Sequence, residues 1–482
     1  MSDFLSTYWP HFLTAISLVL GTVAAIHATM TKRNVRSAAG WVGVIMLSPI
    51  VGALIYAIAG VNRMWRETKI ARRSARYKAL ERVLSQYAVD AEVFTEKTEG
   101  RLKALKTVGD KVSHHPVTSG NQIVMFESGD ATYDAMCAEI AAAKHGILLE
   151  TYIFDRDPIG LRVADCLIAA RKRGVAVRVL VDAVGARYST PSILGYLKDG
   201  GVEVDAFNGK VIFGLRLPYS NLRTHRKILV VDGHVAFVGG MNIRAGFTGP
   251  KAARDTHFRV RGPVVADLFA VAADDWAYET GQGFEGPEWR LTVDHAEPGE
   301  GLLLRAVVSG PDRHLETNQK IMMGAFSVAE RSIRIMSPYF LPDSDLASAL
   351  ATAARRGVEV DIIVPEKNNL ALVSHAMNAQ FEPLIRDGCR IWRATGPFDH
   401  SKLLVVDDAW AYIGSSNLDS RSLRLNFEID LEIYDRDFAR LVGDRIERSH
   451  AEARLVTLAS LRSRPFLYRL FDRVLWLASP YL

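Results

Sequence analysis

Two stretches near the start of the chain carry no Asp, Glu, Lys or Arg: Phe12 to Met30 and Trp41 to Val61. Each approaches the ~20 residues a helix needs to cross the hydrocarbon core, and together they predict an N-terminal transmembrane helical hairpin over residues 1–65. A cleaved signal peptide needs a basic leader, yet Asp3 is the only charged side chain before Phe12. Trp41 at one edge of the second run, and Arg63, Trp65 and Arg66 at the other, fit interface positions. Pro49 and Gly52 offer an alternative, a second run broken into a shallow re-entrant segment. Lysines and arginines are denser after the second run (Arg63 to Lys78) than between the runs (Lys32, Arg33, Arg36), which places the bulk of the protein in the cytoplasm. From Arg66 to Lys111 basic residues mix with Ala, Leu and Glu without a proline, predicting a basic helical linker over 66–115. It either lies along anionic headgroups or is solvated.

Beyond Val112, short β-branched runs alternate with alanine-rich helical stretches, the pattern of α/β units. The pattern then repeats. Gly146 to Phe154 reads as a buried strand, followed by a helix ending Arg171-Lys172-Arg173-Gly174 and a strand from Val175 to Val181. Ser332 to Phe340 precedes a helix ending Arg355-Arg356-Gly357 and a strand from Val358 to Val364. In both copies the glycine caps a helix and a strand follows at once. The expected fold class is therefore α/β: two similar halves related by pseudo-twofold symmetry, over 116–300 and 301–482.

The rest of the composition narrows little further. Of 482 residues 49% are hydrophobic and 23% charged, which excludes a disordered or low-complexity chain. Three scattered cysteines exclude a disulfide framework and a Cys-based zinc site. A net charge of +5 is compatible with anionic partners but selects none.

The chemistry sits in a motif present twice. The first half reads His225-Arg226-Lys227, then Asp232, Gly239 and Asn242; the second reads His400-Ser401-Lys402, then Asp407, Gly414 and Asn417, at identical spacing. On a strand, His and Lys two apart share a face while the residue between them points away. Asp232 and Asp407 fall at turns, where Asp forms the turn or balances the lysine, and direct catalysis by either is the weaker reading. Two histidines, two lysines and two asparagines meeting at a pseudo-twofold interface form a cationic pocket suited to a phosphodiester. One neutral imidazole attacks phosphorus and the other, protonated, serves the leaving and incoming alcohols. The lysines supply the charge stabilisation, so neither metal nor cofactor is required.

These residues resemble the phospholipase D superfamily, with its duplicated HxKx4D motif, and more narrowly bacterial cardiolipin synthases. The paired hydrophobic runs, Gly60 to Arg63, Asn221 to Lys227, Ser337 to Asp343 and Leu425 to Glu428 belong to the same resemblance, which covers nearly the whole chain. It implies two phospholipase D-like halves and reversible phosphatidyl transfer between two phosphatidylglycerol molecules, giving cardiolipin and glycerol through a phosphohistidine. It further implies a catalytic set of His225, Lys227, Asp232, His400, Lys402 and Asp407, with His225 as nucleophile and His400 as general acid/base. An acidic residue is expected behind each histidine. Glu428, eleven after Asn417, fits the second half; the matching position in the first is Ala253, and Asp255 is the nearest candidate. Asn242, Asn417 and Ser415 are supporting donors, with Gly240 standing where the second half has Ser415. The implied partners are phosphatidylglycerol, other anionic phospholipids and the bacterial inner membrane, crossed more than once, with no nucleic acid. A phospholipase D or phosphatidyltransferase using water or another alcohol is the alternative; a nuclease would need no bilayer anchor, and a scaffold would not need both intact motifs.

Secondary features are assigned as follows. Phe213, Leu215, Leu217, Pro218 and Tyr219 form an acyl-chain wall or a packed loop. Arg464 to Leu477 forms a C-terminal amphipathic segment, interfacial or packed on the body. His114-His115 is structural.

Overall fold

In this computed structural model the described residues are 2–32, 35–60, 86–208, 222–291, 299–312 and 314–479. Arg63, Trp65, Arg66, the whole of the linker before Gln86 and the stretch from Phe213 to Tyr219 lie outside them.

The N-terminal unit is a helical hairpin. A helix runs Ser2–Thr31, of which 24 residues, Tyr8 to Thr31, are long and apolar enough to cross a membrane. The second run is not one spanning helix. It forms Val35–Leu47, breaks at Ser48, resumes as Pro49–Ile55 and ends in a π-helical turn at Tyr56–Gly60. Proline at the first helical position has no N–H to extend the preceding ladder, which is why the apolar pattern alone overstated this element. Trp41 packs edge-on against Tyr56, their ring centroids 5.3 Å apart.

In the body, the expected helix from Arg66 to Lys111 is interrupted, in its described part, into Ala91–Lys97 and Leu102–Val112. The second piece turns Leu102, Leu105 and Gly109 inward, so that face is packed on the body rather than solvated. The two repeats form one continuous sheet of sixteen described strands. Thr118–Phe126 pairs antiparallel with Leu302–Ser309 at its centre, and from there each half follows the same order outward. Leu302–Ser309 pairs with Asn426–Tyr434, then come Trp410–Gly414, Leu403–Val406, Ser332–Met336 and Glu359–Pro365. Thr118–Phe126 pairs with His257–Arg261, then come Val235–Gly239, Ile228–Val231, Gly146–Thr151 and Ala176–Asp182.

Local chemistry repeats with the topology. Asp157 and Asp343 each accept two backbone N–H groups at the starts of helices Pro158–Lys172 and Ser344–Arg355. Gly174 (φ 93°) and Gly357 (φ 94°) close those helices in a left-handed conformation, and the parallel strands follow, as the repeat predicted. The motif-bearing strands Ile228–Val231 and Leu403–Val406 are buried throughout, which fixes the residues before them at the same edge of the core.

Candidate active site

His225 to Lys227 and His400 to Lys402 lie just before those strands rather than in the ladder, yet alternation holds. Arg226 points away and ion-pairs with Asp275; Ser401 turns to Asp399 and Thr256. Both histidines, with Asn242 and Asn417, line one cavity of about 710 Å3. Lys227 and Lys402 are almost completely buried, and each Nζ donates to the carbonyl of its own histidine.

The acidic partners cross over. His225 Nδ1 lies 2.8 Å from Glu428 Oε2, and His400 Nδ1 lies 2.9 Å from Asp255 Oδ2. Glu428 and Asp255 were each expected behind the histidine of their own half; each instead serves the histidine of the other. Backbone pairing explains it. Phe427 runs beside Thr224 and its carbonyl accepts the His225 N–H, and Arg254 runs beside Asp399 and its carbonyl accepts the His400 N–H. Asp255 is also the true counterpart of Glu428, because Gly239 pairs with His257 as Gly414 pairs with Asp430. A two-residue longer loop after Asn242 had displaced that match to Ala253.

Gly240 follows from the same exchange. A Cβ there would sit 2.6 Å from Asp255 Oδ1, whereas Ser415 donates to Glu428 Oε2 at 2.6 Å. Asparagine 242 accepts the Ile153 N–H at 3.1 Å, and Asn417 donates to Ser422 Oγ at 3.3 Å.

Asp232 and Asp407 stand at the far end of the strands from the histidines, in left-handed turns with φ 50° and 54°. Asp232 accepts the N–H groups of Lys144, His145 and Gly146; Asp407 accepts those of Glu330, Arg331 and Ser332. Their place in the catalytic set is therefore corrected: they tie the motif strand to the next one. Asp407→Ala is expected to lower stability by about 2–3 kcal/mol, a backbone-acceptor loss, and to lower Tm. Turnover of the molecules that remain folded should change little; a collapse of turnover at unchanged Tm would contradict this.

Burial sets the protonation states. It holds His225 well below the ordinary imidazole range, helped by Lys227 and Lys402, and takes His400 to about 4, helped by Lys402. Burial also brings Lys227 down to about 7 and Lys402 to about 8. The carboxyls diverge. Burial pushes Glu428 up to about 7, whereas for Asp255 the opposing pull of His400 and Lys402 exceeds burial and holds it below its usual value.

The cavity wall breaks the pseudo-symmetry, a feature the motif spacing did not reveal. Phe247, Tyr339 and Phe398 lie with ring centroids 6.0–6.2 Å from His400. Beside His225 stands Tyr152 at 5.2 Å, with Arg223 and Arg421 also in the wall. Arg223 and Phe398 occupy the same motif position, two before each histidine.

Two histidines, each backed by a carboxyl and flanked by a buried lysine, make an arrangement chemically suited to phosphodiester transfer on a duplicated α/β scaffold. Comparisons with known proteins make this specific. A family model described as cardiolipin synthase, PLD-like domain, matches residues 136–270 and 322–449, and one described as phospholipase D-nuclease N-terminal matches 19–60. The chain is 34% identical to cardiolipin synthase A of Pseudomonas putida over 100% of both chains. It is 33% identical to cardiolipin synthase of Alkalihalophilus pseudofirmus over 92% of this chain and 88% of that one. The crystal structure of phosphatidylserine synthase from Haemophilus influenzae has the same fold, with a TM-score of 0.58 and 17% identity over 78% of this chain and 100% of that one. The chain belongs to the cardiolipin synthase family, and it is an enzyme of the phosphatidyltransferase class.

Proposed function

We propose that this protein transfers a phosphatidyl group from one phosphatidylglycerol to another, forming cardiolipin and releasing glycerol. The observation that carries the reading is the crossed pair of histidine–carboxyl contacts in one cavity, on a chain with an apolar N-terminal hairpin. His225 Nε2 attacks phosphorus and the phosphorus–oxygen bond to glycerol breaks; His400, held neutral by burial in the free protein, takes up a proton when the phosphate anion binds, beside Asp255, and delivers it to the departing oxygen. The terminal hydroxyl of a second phosphatidylglycerol then returns a proton to His400, and its oxygen displaces His225. The carboxyl asymmetry supports this order. An ionised Asp255 favours the imidazolium that His400 must pass through, while burial keeps His225 neutral and Glu428, by accepting its Nδ1–H, leaves Nε2 free to attack. The aromatic wall around His400 disfavours water at the acid/base, which supports transfer over hydrolysis. The two apolar runs, the second crossing as a broken helix, support a chain that passes through the inner membrane more than once, and the basic excess after the second run supports a catalytic body on the cytoplasmic side.

Headgroup analysis tests the reaction. Purified enzyme with phosphatidylglycerol is expected to yield cardiolipin and glycerol in equal amounts; phosphatidic acid in their place would make it a hydrolase.

A pH dependence follows. The ammonium forms of Lys227 and Lys402 exist below about 7 and 8 and are lost above them. Phosphate binding needs those charges, so kcat/KM should fall as pH rises through about 8. The bound anion favours the ammonium, so kcat should hold to higher pH. A kcat/KM profile flat to pH ~10 would show that the lysines keep their protons without substrate.

A further inference from the structure

The C-terminal helix Phe466–Leu477 is built inside out. The most buried residue it presents to the body is Asp472, which accepts from Arg464 and meets His375 Nδ1 at 2.7 Å. Its apolar residues point outward. Phe466, Leu467, Leu470, Val474 and Leu477 are 66%, 73%, 47%, 53% and 73% exposed. At 100° per residue these five fall on one continuous face, bordered along one side by Arg469 and Arg473, the latter 3.6 Å from Glu382 and half exposed. A helix that only packs on a soluble body shows the reverse arrangement.

A second observation gives this face a direction. Helix Ala371–Arg386 receives the C-terminal helix, through His375 with Asp472 and Phe471, and through Gln380 accepting the Trp476 indole N–H at 2.9 Å. The same helix begins at the cavity mouth. Leu370 and Val373 line the active-site cavity, and Leu370 and the neighbouring Leu372 are about half exposed. Exposed apolar residues therefore stand both at the lip of the cavity and on the C-terminal helix, joined by one helix that contacts both.

We propose that Phe466–Leu477 is a lipid-docking helix: its outward apolar face enters the acyl boundary of an anionic bilayer, Arg469 and Arg473 meet the phosphates, and the cavity mouth is thereby held against its lipid substrate. The occupant is a lipid surface because arginines border the apolar face, and because the substrate class of the adjoining cavity resides in such a surface. This rests on the phospholipid part of the proposed function and not on which phospholipid product forms.

The experiment uses full-length protein reconstituted in phosphatidylglycerol vesicles, with an environment-sensitive fluorophore on Leu467→Cys. Quenching of the label by lipids brominated along the acyl chain is expected. The unlabelled double variant Leu467→Glu, Val474→Glu should raise KM for vesicle phosphatidylglycerol ~10-fold or more, from the loss of two buried apolar side chains. Its kcat/KM on monomeric short-chain phosphatidylglycerol should match the parent protein, which shows that the variant folds. An unquenched label, or an unchanged vesicle KM, would overturn the proposal, as would a label protected only by self-association in detergent. Quenching without any turnover by the parent protein would leave the docking helix standing and remove the proposed reaction.

Discussion

His225→Ala and His400→Ala are each expected to reduce cardiolipin formation by at least ~10³-fold while the fold is kept. His225 is the proposed covalent carrier, and without it no phosphohistidine forms. His400 is the proposed proton donor to glycerol, and without it the departing oxygen must leave as an alkoxide. Both side chains border the cavity, but truncation also takes the Nδ1 partner from buried Glu428 or Asp255, so thermal unfolding of each variant checks that the fold is kept. Radiolabelled phosphatidylglycerol in mixed micelles, with lipids separated over time, measures the loss. Substantial activity in either variant would place the chemistry elsewhere.

The second large effect concerns the exchanged carboxyls. Asp255→Asn should disable His400, and Glu428→Gln should disable His225, although each acid lies in the other half of the sequence. Loss of an orienting carboxylate with geometry intact costs about 10⁴-fold in a serine protease, so a drop of ~10²–10⁴-fold is expected here. The pairing is read from double variants. Asp255→Asn added to His400→Ala should cost little more than His400→Ala alone, because the acid acts through that imidazole. Asp255→Asn should also move the acid limb of the pH profile. Full additivity with His400, and coupling to His225 instead, would restore the within-half arrangement.

Much of this site was legible in the sequence because spacing encodes it. Identical offsets from His225 and His400 gave the cavity its two asparagines and put a buried lysine behind each histidine, and alternation placed Arg226 and Ser401 outside it. The glycine caps at 174 and 357 marked the strand boundaries because only a left-handed residue ends those helices and turns directly into a strand. What the spacing lacked was the third dimension. Nothing in Leu425 to Glu428 states that this strand crosses to pair with Arg223 and Thr224 of the other half, so the acids were attached to the wrong histidines. Asp232 and Asp407 share the motif's regularity for a structural reason, since a turn of fixed length repeats as faithfully as a catalytic group. The break at Ser48-Pro49 was foreseen only as an alternative, because hydrophobicity reports burial in lipid or protein without reporting helix continuity. Arg223 against Phe398 was visible as a difference between halves, but it gained meaning only once both stood in the same cavity wall.

The most direct test of the central claim is a time course of purified enzyme with phosphatidylglycerol, following lipids and released headgroup by mass spectrometry alongside His400→Ala. The account predicts cardiolipin and free glycerol rising together, and neither in the variant. Phosphatidic acid without cardiolipin, or cardiolipin formed undiminished by His400→Ala, would contradict it.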